Sequence, residues 1–220
     1  MRSGYMRAIG MMKNPRLRNF CALSLMLAAF AAGCGAVAGN IPETRYFVID
    51  YTLETSRDSG PVIPVSVGVD KFRSDAVYRT DKIVFRKRPY QVEFYPYERW
   101  GARPEEIVTD RLIDHLLAIN RFREVIRATS GANSDYLVRG RVKRFEEDSS
   151  KGYSAVAQIE MSLMYRKSGK VLLQRRVTRR TPAKSKPPQG FVNAMAENLK
   201  SLLGEMAGEI SKAVARHRNQ

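Results

Sequence analysis

The sequence predicts an α+β domain preceded by an export signal. Several segments alternate apolar and polar residues with the period of two that is typical of half-buried strands. Two other segments repeat apolar residues every three or four positions, as an amphipathic helix does. A basic and then apolar N-terminus precedes all of these segments.

The N-terminal stretch has the composition of a secretory signal peptide. Residues 1–33 contain five basic residues and no acidic one, and the apolar run from Phe20 to Ala32 has 13 residues. That run is too short for the roughly 20 residues that a membrane-spanning helix needs. A basic region, a short apolar core and a small-residue cleavage site define a signal peptide, so we expect residues 1–33 to be removed.

Cys34 is the candidate site of a lipid anchor. The sequence Ala31-Ala-Gly-Cys34 resembles the lipobox of bacterial lipoproteins, in which the cysteine is lipidated and becomes the mature N-terminus. The alternative is an ordinary cleavage near Gly33, with Cys34 as a bystander. Two or more acyl chains anchor a protein stably. We therefore expect a lipidated cysteine and short linker at residues 34–44, followed by a single domain at residues 45–217.

The charge and the cysteines narrow the choice of partners. The chain has 220 residues, and loss of the signal lowers its net charge from +16 to +11. Such a charge suits the phosphates of nucleic acid or of lipid headgroups, and an exported protein meets the lipids far more often. The two cysteines are Cys21, inside the signal, and Cys34, so the mature domain is predicted to have no disulfide.

The segment from 82 to 100 is rich in aromatic residues. Residues 82–87 and 90–95 are predicted to form two strands joined at Arg88-Pro89. Tyr95, Tyr97 and Trp100 follow, between a strand end and a helix start. They could pack in the core or contact a partner. Because Tyr and Trp often dominate the binding energy of interfaces, we expect them to contact a partner.

Two amphipathic segments predict the helices. One opens at Arg103-Pro-Glu-Glu, where proline and acidic residues suit a helix N-terminus, and ends near Asn120. The other covers residues 191–214. Leu116 in the first and Leu202 in the second lie on the apolar stripes, so both are expected to be buried against the sheet.

The C-terminal strands predict an antiparallel meander with a basic outer face. Residues 136–146, 153–166 and 171–180 alternate in polarity. Arg139, Arg141 and Lys143 share one face of the first strand, and four further arginines crowd the last: Arg175, Arg176, Arg179 and Arg180. An N-terminal strand over 45–53 and a second over 63–69 complete the predicted sheet: both have one clearly apolar face.

No catalytic constellation is recognisable. The chain contains only two histidines, His115 and His217, and lacks the G-x-S-x-G, H-E-x-x-H and P-loop motifs. The carboxylates at 105–106 and at 146–148 are most simply interpreted as a helix cap and a solvated strand end. We therefore predict no catalytic residue, no metal site and no cofactor, and a binding or scaffolding role.

Two adjacent stretches carry a resemblance to a known family. The sequences from Tyr78 to Phe85 and from Tyr90 to Trp100 resemble the auxiliary lipoproteins of ABC-type transport systems, which include the paraquat-inducible lipoprotein that works with MCE-domain lipid carriers. The resemblance implies an α+β domain with two helices packed on one face of an antiparallel-rich sheet. It also implies a non-enzymatic role beside an ABC transporter that moves phospholipid or another amphiphile. This chain is more basic than a typical member.

The resemblance also implies a localisation and partners, while two alternatives stay open beside it. Gly35 stands after the cysteine, where family members retained in the inner membrane carry Asp, so the periplasmic face of the outer membrane is expected. Partners would be the MCE-domain protein, the transporter or a second copy of the chain. An assembly or pilot lipoprotein for an outer-membrane complex is the alternative. The signal peptide argues against nucleic-acid binding.

Overall fold

Nine strands, two α-helices and one short 3-10 helix (Ala76–Tyr78) lie in the part of the chain that the computed structural model describes, which is residues 42–55, 60–128 and 133–220. The strands are β1 (Arg45–Phe47), β2 (Ile63–Asp70), β3 (Arg73–Ser74), β4 (Lys82–Arg88), β5 (Gln91–Trp100), β6 (Phe122–Ala128), β7 (Tyr136–Asp148), β8 (Ser154–Tyr165) and β9 (Val171–Pro182). The helices are α1 (Pro104–Ala118) and α2 (Gln189–Arg218). The predicted signal peptide and Cys34 lie outside the described residues.

Strand β7 organises the sheet. Along one edge it pairs in succession with β2, β3 and β4, all parallel. Along its other edge it pairs antiparallel with β8 over its whole length, and β9 pairs antiparallel with β8. β6 extends the sheet beside β2, while β5 and β1 extend it beside β4. The α+β class and the C-terminal meander are confirmed, and the longest pairings are the antiparallel ones.

Both helices cover the same face of this sheet. Helix α2 packs along β8 and β9, and α1 packs against β6, β7 and α2. Leu116 and Leu202 are each 0% exposed, which confirms that the apolar stripes of both helices face the core. The opposite face of β7, β8 and β9 carries polar side chains over most of its area. We call it the open face.

The N-terminal strand is shorter than the alternation of residues 45–53 predicts. β1 ends at Phe47 because it pairs with β5 for only three residues. The chain then crosses to α1, where Ile49 is buried and its carbonyl accepts a hydrogen bond of 2.6 Å from Arg111. Tyr51 follows and shares a hydrogen bond of 3.1 Å with His115. The apolar alternation therefore reflects burial beyond the end of the strand.

Candidate functional site on the open sheet face

Trp100 lies in the core. Its side chain is 1% exposed, and its ring centroid lies 5.2 Å from that of Phe145 and 5.6 Å from that of Phe191. Pairing between β4 and β5 is irregular before Trp100, which interrupts the strand alternation and turns this side chain inward. A side chain this buried is not available to a partner, so the expectation of a partner contact is corrected for Trp100.

The two tyrosines of the same strand remain accessible in part. Tyr95 is half-buried beside Phe85, with ring centroids 4.7 Å apart, and its hydroxyl donates a hydrogen bond of 3.0 Å to Glu147. Burial, with the nearby carboxylate of Glu147, raises the pKa of Tyr95. Tyr97 is also half-exposed. These two side chains are the part of the predicted partner segment that a partner could reach.

The carboxylates at the end of β7 are buried, which corrects the expectation of a solvated strand end. Glu146 is 0% exposed and accepts hydrogen bonds from Tyr78 (2.6 Å), Arg86 (3.0 Å) and Arg144 (2.9 Å). Burial by itself raises the pKa of Glu146, but these hydrogen bonds outweigh it, and the net shift is downward. The carboxylate is therefore ionised at neutral pH and ties β4, β7 and the turn before β4 together.

Asp148 extends this cluster toward β9. It accepts hydrogen bonds from the backbone amide of Ser150 (3.1 Å) and its hydroxyl (2.6 Å), and it forms an ion pair with Arg180. Burial opposes ionisation, but the hydrogen bonds from Ser150 and Arg180 dominate and lower the pKa of Asp148 to about 2. Sequence reasoning missed this network because it joins residues from distant strands.

Two rows of polar side chains cross the open face. The strand registers place Arg141 of β7 beside Glu160 of β8 and place Glu160 beside Arg176 of β9. Arg73 of β3 stands beside Arg141 on its other edge and extends this row to four strands. The second row crosses β7, β8 and β9 and consists of Arg139, Ser162 and Gln174. Neighbouring strands are about 4.8 Å apart, so the two rows bring several donors within reach of one small ligand.

Positive charge exceeds negative charge around these rows. Six cationic side chains lie here: Lys71, Arg73, Arg139, Arg141, Lys143 and Arg176. Four carboxylates pair with them: Asp70, Asp75, Glu106 and Glu160. Among the described residues, Arg73 is the one cation of the six that makes no ion pair. Exposed ion pairs contribute little to stability, so these guanidinium groups can exchange a carboxylate for a ligand anion.

The rows form the floor of an open groove of about 690 Å³. This volume lies within the range of roughly 300–1,000 Å³ that is typical of small-molecule sites. The floor is made of charged and polar side chains, which suits a charged group rather than an acyl chain. Guanidinium groups bind phosphate oxygens in a bidentate geometry, so phosphate is the ligand chemistry that this groove fits.

The arginines of β9 divide between the two faces. Arg176 and Arg180 project onto the open face, whereas Arg175 and Arg179 pair with Glu209 and Glu205 of α2 on the helix side. Of these two, Arg175 also borders the groove. Strand alternation alone could have separated them. The turn at 168–169 also fixes the register of β8 and β9, so the contact of Glu160 with Arg176 was accessible from sequence. The parallel pairing that adds Arg73 was not.

Within the described residues, no group of three or more histidines, cysteines and carboxylates is positioned to hold a metal ion. His115 bonds to Tyr51 as noted, and His217 shares a hydrogen bond of 3.0 Å with Tyr136. Neither described helix is both long enough and apolar enough to cross a membrane.

A match to a known family model establishes which family this chain belongs to. The family model for the ABC-type transport auxiliary lipoprotein component matches residues 51–207 of this chain. The chain belongs to this family. The match covers more than half of the chain, including every strand from β2 to β9 and most of α2. It confirms the resemblance that the aromatic segment indicates, and it identifies the chain as a membrane-associated lipoprotein that is auxiliary to ABC-type transport.

Solved structures confirm the fold of this family member. The crystal structure of protein XCC0632 from Xanthomonas campestris superposes with a TM-score of 0.73 at 17% identity, and the alignment covers 80% of this chain and 100% of that one. A second crystal structure, of an uncharacterized protein, gives a TM-score of 0.62 at 14% identity over 77% and 99% of the two chains. No curated protein matches the sequence of this chain.

Proposed function

We propose that this auxiliary lipoprotein is a non-catalytic binding component of an ABC transport system that works with an MCE-domain protein. The system moves phospholipid or another amphiphile across the envelope. The lipid on Cys34 holds the protein at the periplasmic face of the outer membrane. Family membership supports the transport role, while the MCE partner, the cargo and the choice of membrane are part of this proposal.

The open face carries the proposal about the cargo. Arg139, Arg141 and Arg176 surround Ser162 and Glu160 on a surface with two more cations than carboxylates. A phosphodiester headgroup supplies the one negative charge and the acceptor oxygens that this arrangement favours. The groove therefore binds the headgroup of the transported phospholipid, while its acyl chains stay with another component of the system.

The strand that contains Tyr95 and Tyr97 is the proposed contact with the transport complex or with a second copy of the chain. Both side chains are half-exposed, and Tyr95 is held in place by Glu147. A fixed aromatic side chain with few rotatable bonds contributes strongly to an interface because little conformational entropy is lost on binding.

Site-specific photocrosslinking in the source cell tests the partner. A photoreactive residue replaces Tyr97, and a control chain carries it in place of Lys212, an exposed residue of α2. A crosslink from position 97, but not from 212, to the MCE-domain protein or the permease supports the proposal. A crosslink to an outer-membrane barrel or secretin instead supports the assembly or pilot role.

Metabolic labelling tests the anchor. Palmitate should label the protein, and Cys34→Ser should abolish the label and release the folded domain from the membrane. Palmitate label that persists in the Cys34→Ser protein contradicts lipidation at this residue.

A further inference from the structure

Tyr90 occupies the tip of the β4–β5 hairpin in a backbone conformation that disfavours its side chain. Its φ angle is +64°, in the left-handed region that bulky residues rarely adopt. Arg88 and Gln91 pair across the turn, so Pro89 and Tyr90 are its two central residues. A negative φ at proline followed by a positive φ is the pattern of a type II turn, whose second central residue is normally glycine.

The β8–β9 hairpin provides a comparison within the same chain. The turn between β8 and β9 also contains a residue with positive φ, and there it is Gly169, at +71°. That turn is also basic, with Arg166, Lys167 and Lys170 around it. The chain thus has glycine at the left-handed position of one basic turn and tyrosine at that of the other.

Packing within the domain does not explain why a tyrosine occupies position 90. Its side chain is fully exposed, so no packing within the domain offsets the backbone strain. Lys87 and Arg88, just before the turn, are also exposed. Among the described residues, Glu93 is the one carboxylate that pairs with them, at 3.4 Å from Lys87. Strain that the surrounding structure does not require points to a function for the side chain.

We propose that this tip, Lys87 to Tyr90, inserts into the headgroup layer of an anionic phospholipid membrane. Tyrosine is enriched at membrane–water interfaces, where its ring lies at headgroup level, and adjacent cations are attracted to anionic lipids. Family membership already associates the chain with a membrane.

A membrane surface fits this tip better than a protein does. Specific protein interfaces bury more than about 1,000 Å², whereas the residues beside Tyr90 are exposed and polar or small: Arg88, Pro89 and Gln91. One tyrosine and two cations bind a bilayer weakly. The inference therefore rests on the anchor at Cys34 in the proposed function, which keeps the tip near the membrane as the first of two signals.

Fluorescence in vesicles tests the insertion. The full chain is purified in detergent and reconstituted into vesicles of phosphatidylethanolamine and phosphatidylglycerol with brominated acyl chains. Tyr90→Trp places an indole at the tip, and Ser168→Trp places one in the other basic turn as a matched control. Trp100 gives both chains the same buried background. We expect a blue shift and quenching for Tyr90→Trp alone, and a smaller effect in vesicles of phosphatidylcholine.

The stability of Tyr90→Gly tests the strain. Relief of the left-handed tyrosine should raise the Tm by about 2–4 °C. A lower Tm would show that the fold needs this side chain and would overturn the argument.

The remaining outcomes separate this inference from the proposed function. If the chain stays on the vesicles while the indole at 90 is quenched no more than that at 168, the anchor stands and the insertion is wrong. If the chain does not bind vesicles at all, the anchor fails and the insertion fails with it. A blue shift of equal size for Tyr90→Trp in the Cys34→Ser chain, without lipid or detergent, shows that a second copy or another protein surface covers the tip, and it overturns the inference.

Discussion

Glu146 and Glu147 are neighbours on β7 with opposite environments on opposite faces of the sheet. Glu146 projects onto the open face, where two arginines and Tyr78 bond to its carboxylate. Glu147 projects toward the helix side beside Ala155 and is 1% exposed, with a hydrogen bond from Tyr95. Burial raises the pKa of Glu147 and outweighs that hydrogen bond, whereas the net pKa shift of Glu146 is downward.

The same substitution at these two positions should therefore have different effects. Glu146→Gln leaves Arg86 and Arg144 without their charged partner and should lower the free energy of unfolding at pH 7 by on the order of 3 kcal/mol. Glu147→Gln removes the cost of ionising a buried carboxyl and keeps an acceptor for Tyr95, so it should be neutral or stabilising. Urea titration of both variants measures this. Equal losses at the two positions would contradict the assignment.

The contributions of Glu146 and Glu147 to the free energy of unfolding should also change with pH in opposite directions. The stabilisation from Glu146, whose folded-state pKa is lowered, is present above its unfolded pKa and is lost as pH falls through the folded value. The stabilisation from Glu147, whose pKa is raised, is present below its unfolded pKa and is lost as pH rises through the folded value. The destabilisation in Glu146→Gln should accordingly shrink in acid, and any gain in Glu147→Gln should disappear there.

His115 should make the domain sensitive to mild acid. Burial, with the nearby charge of Arg111, lowers the pKa of His115 from 6.5 to about 4. Between these values the unfolded chain binds a proton that the folded chain does not, so stability falls as pH falls through this window, by roughly 3 kcal/mol at most. Urea titrations from pH 7 to pH 4 should show a shallower decline for His115→Gln. If stability declines equally in the unmodified chain and in His115→Gln, protonation of His115 does not destabilise the fold and this prediction is wrong.

Alanine substitutions at Trp100 and Tyr97 should affect different properties: the first the stability of the domain, the second its association with a partner. Trp100→Ala removes a fully buried ring that contacts Phe145 and Phe191, and should cost about 3–5 kcal/mol. Tyr97→Ala changes a half-exposed side chain and should alter the free energy of unfolding by less than about 0.5 kcal/mol. Denaturation and partner binding should be measured together. The proposed contact is wrong if Tyr97→Ala leaves association with the transport complex intact.

Gly140 should tolerate no side chain. A Cβ there would lie 2.2 Å from a ring carbon of Phe72 and 2.6 Å from the carbonyl oxygen of Glu160, so Gly140→Ala should cost about 1–3 kcal/mol through overpacking. Gly208→Ala is a suitable control, because no atom lies within 4 Å of a Cβ built at that position of α2. The control should be stabilising by up to about 1 kcal/mol. A similar change in both variants would contradict the close contact with Phe72.

The helices and hairpins were predictable because they depend on residues that are close together in the sequence. The apolar stripes around Leu116 and Leu202 predicted both helices. The junction at Arg88-Pro89 and the alternating segments 153–166 and 171–180 predicted both hairpins, although the first turn is centred one residue later, on Pro89 and Tyr90. Alternation also placed Arg139 and Arg141 on the outer face of the meander. These features depend on residues close in sequence, so the residue types themselves carry the information.

Long-range pairing was not predictable in the same way. The parallel contacts that bring β2, β3 and β4 to one edge of β7 join residues far apart in the chain, and they determine which charges are buried. Glu146 looked like part of a solvated strand end because Arg86 and Tyr78 belong to other segments. Trp100 looked exposed because the irregular pairing of β5 has no signature in the sequence. The groove needed the structure for the same reason, since Arg73 joins it only through β3.

Binding of a water-soluble, short-chain phosphatidylglycerol to the full chain tests the central claim most directly. In Arg141→Gln/Arg176→Gln, two charges of the open face are removed, and affinity should fall at least about tenfold, because a hydrogen bond to a charged group contributes roughly 1.5–3 kcal/mol. Arg179→Gln/Lys212→Gln removes the same charge from the helix side, outside the groove lining, and should bind like the unmodified chain. Equal affinity for all three proteins, or an equal loss in both variants, would contradict a headgroup site on the open face.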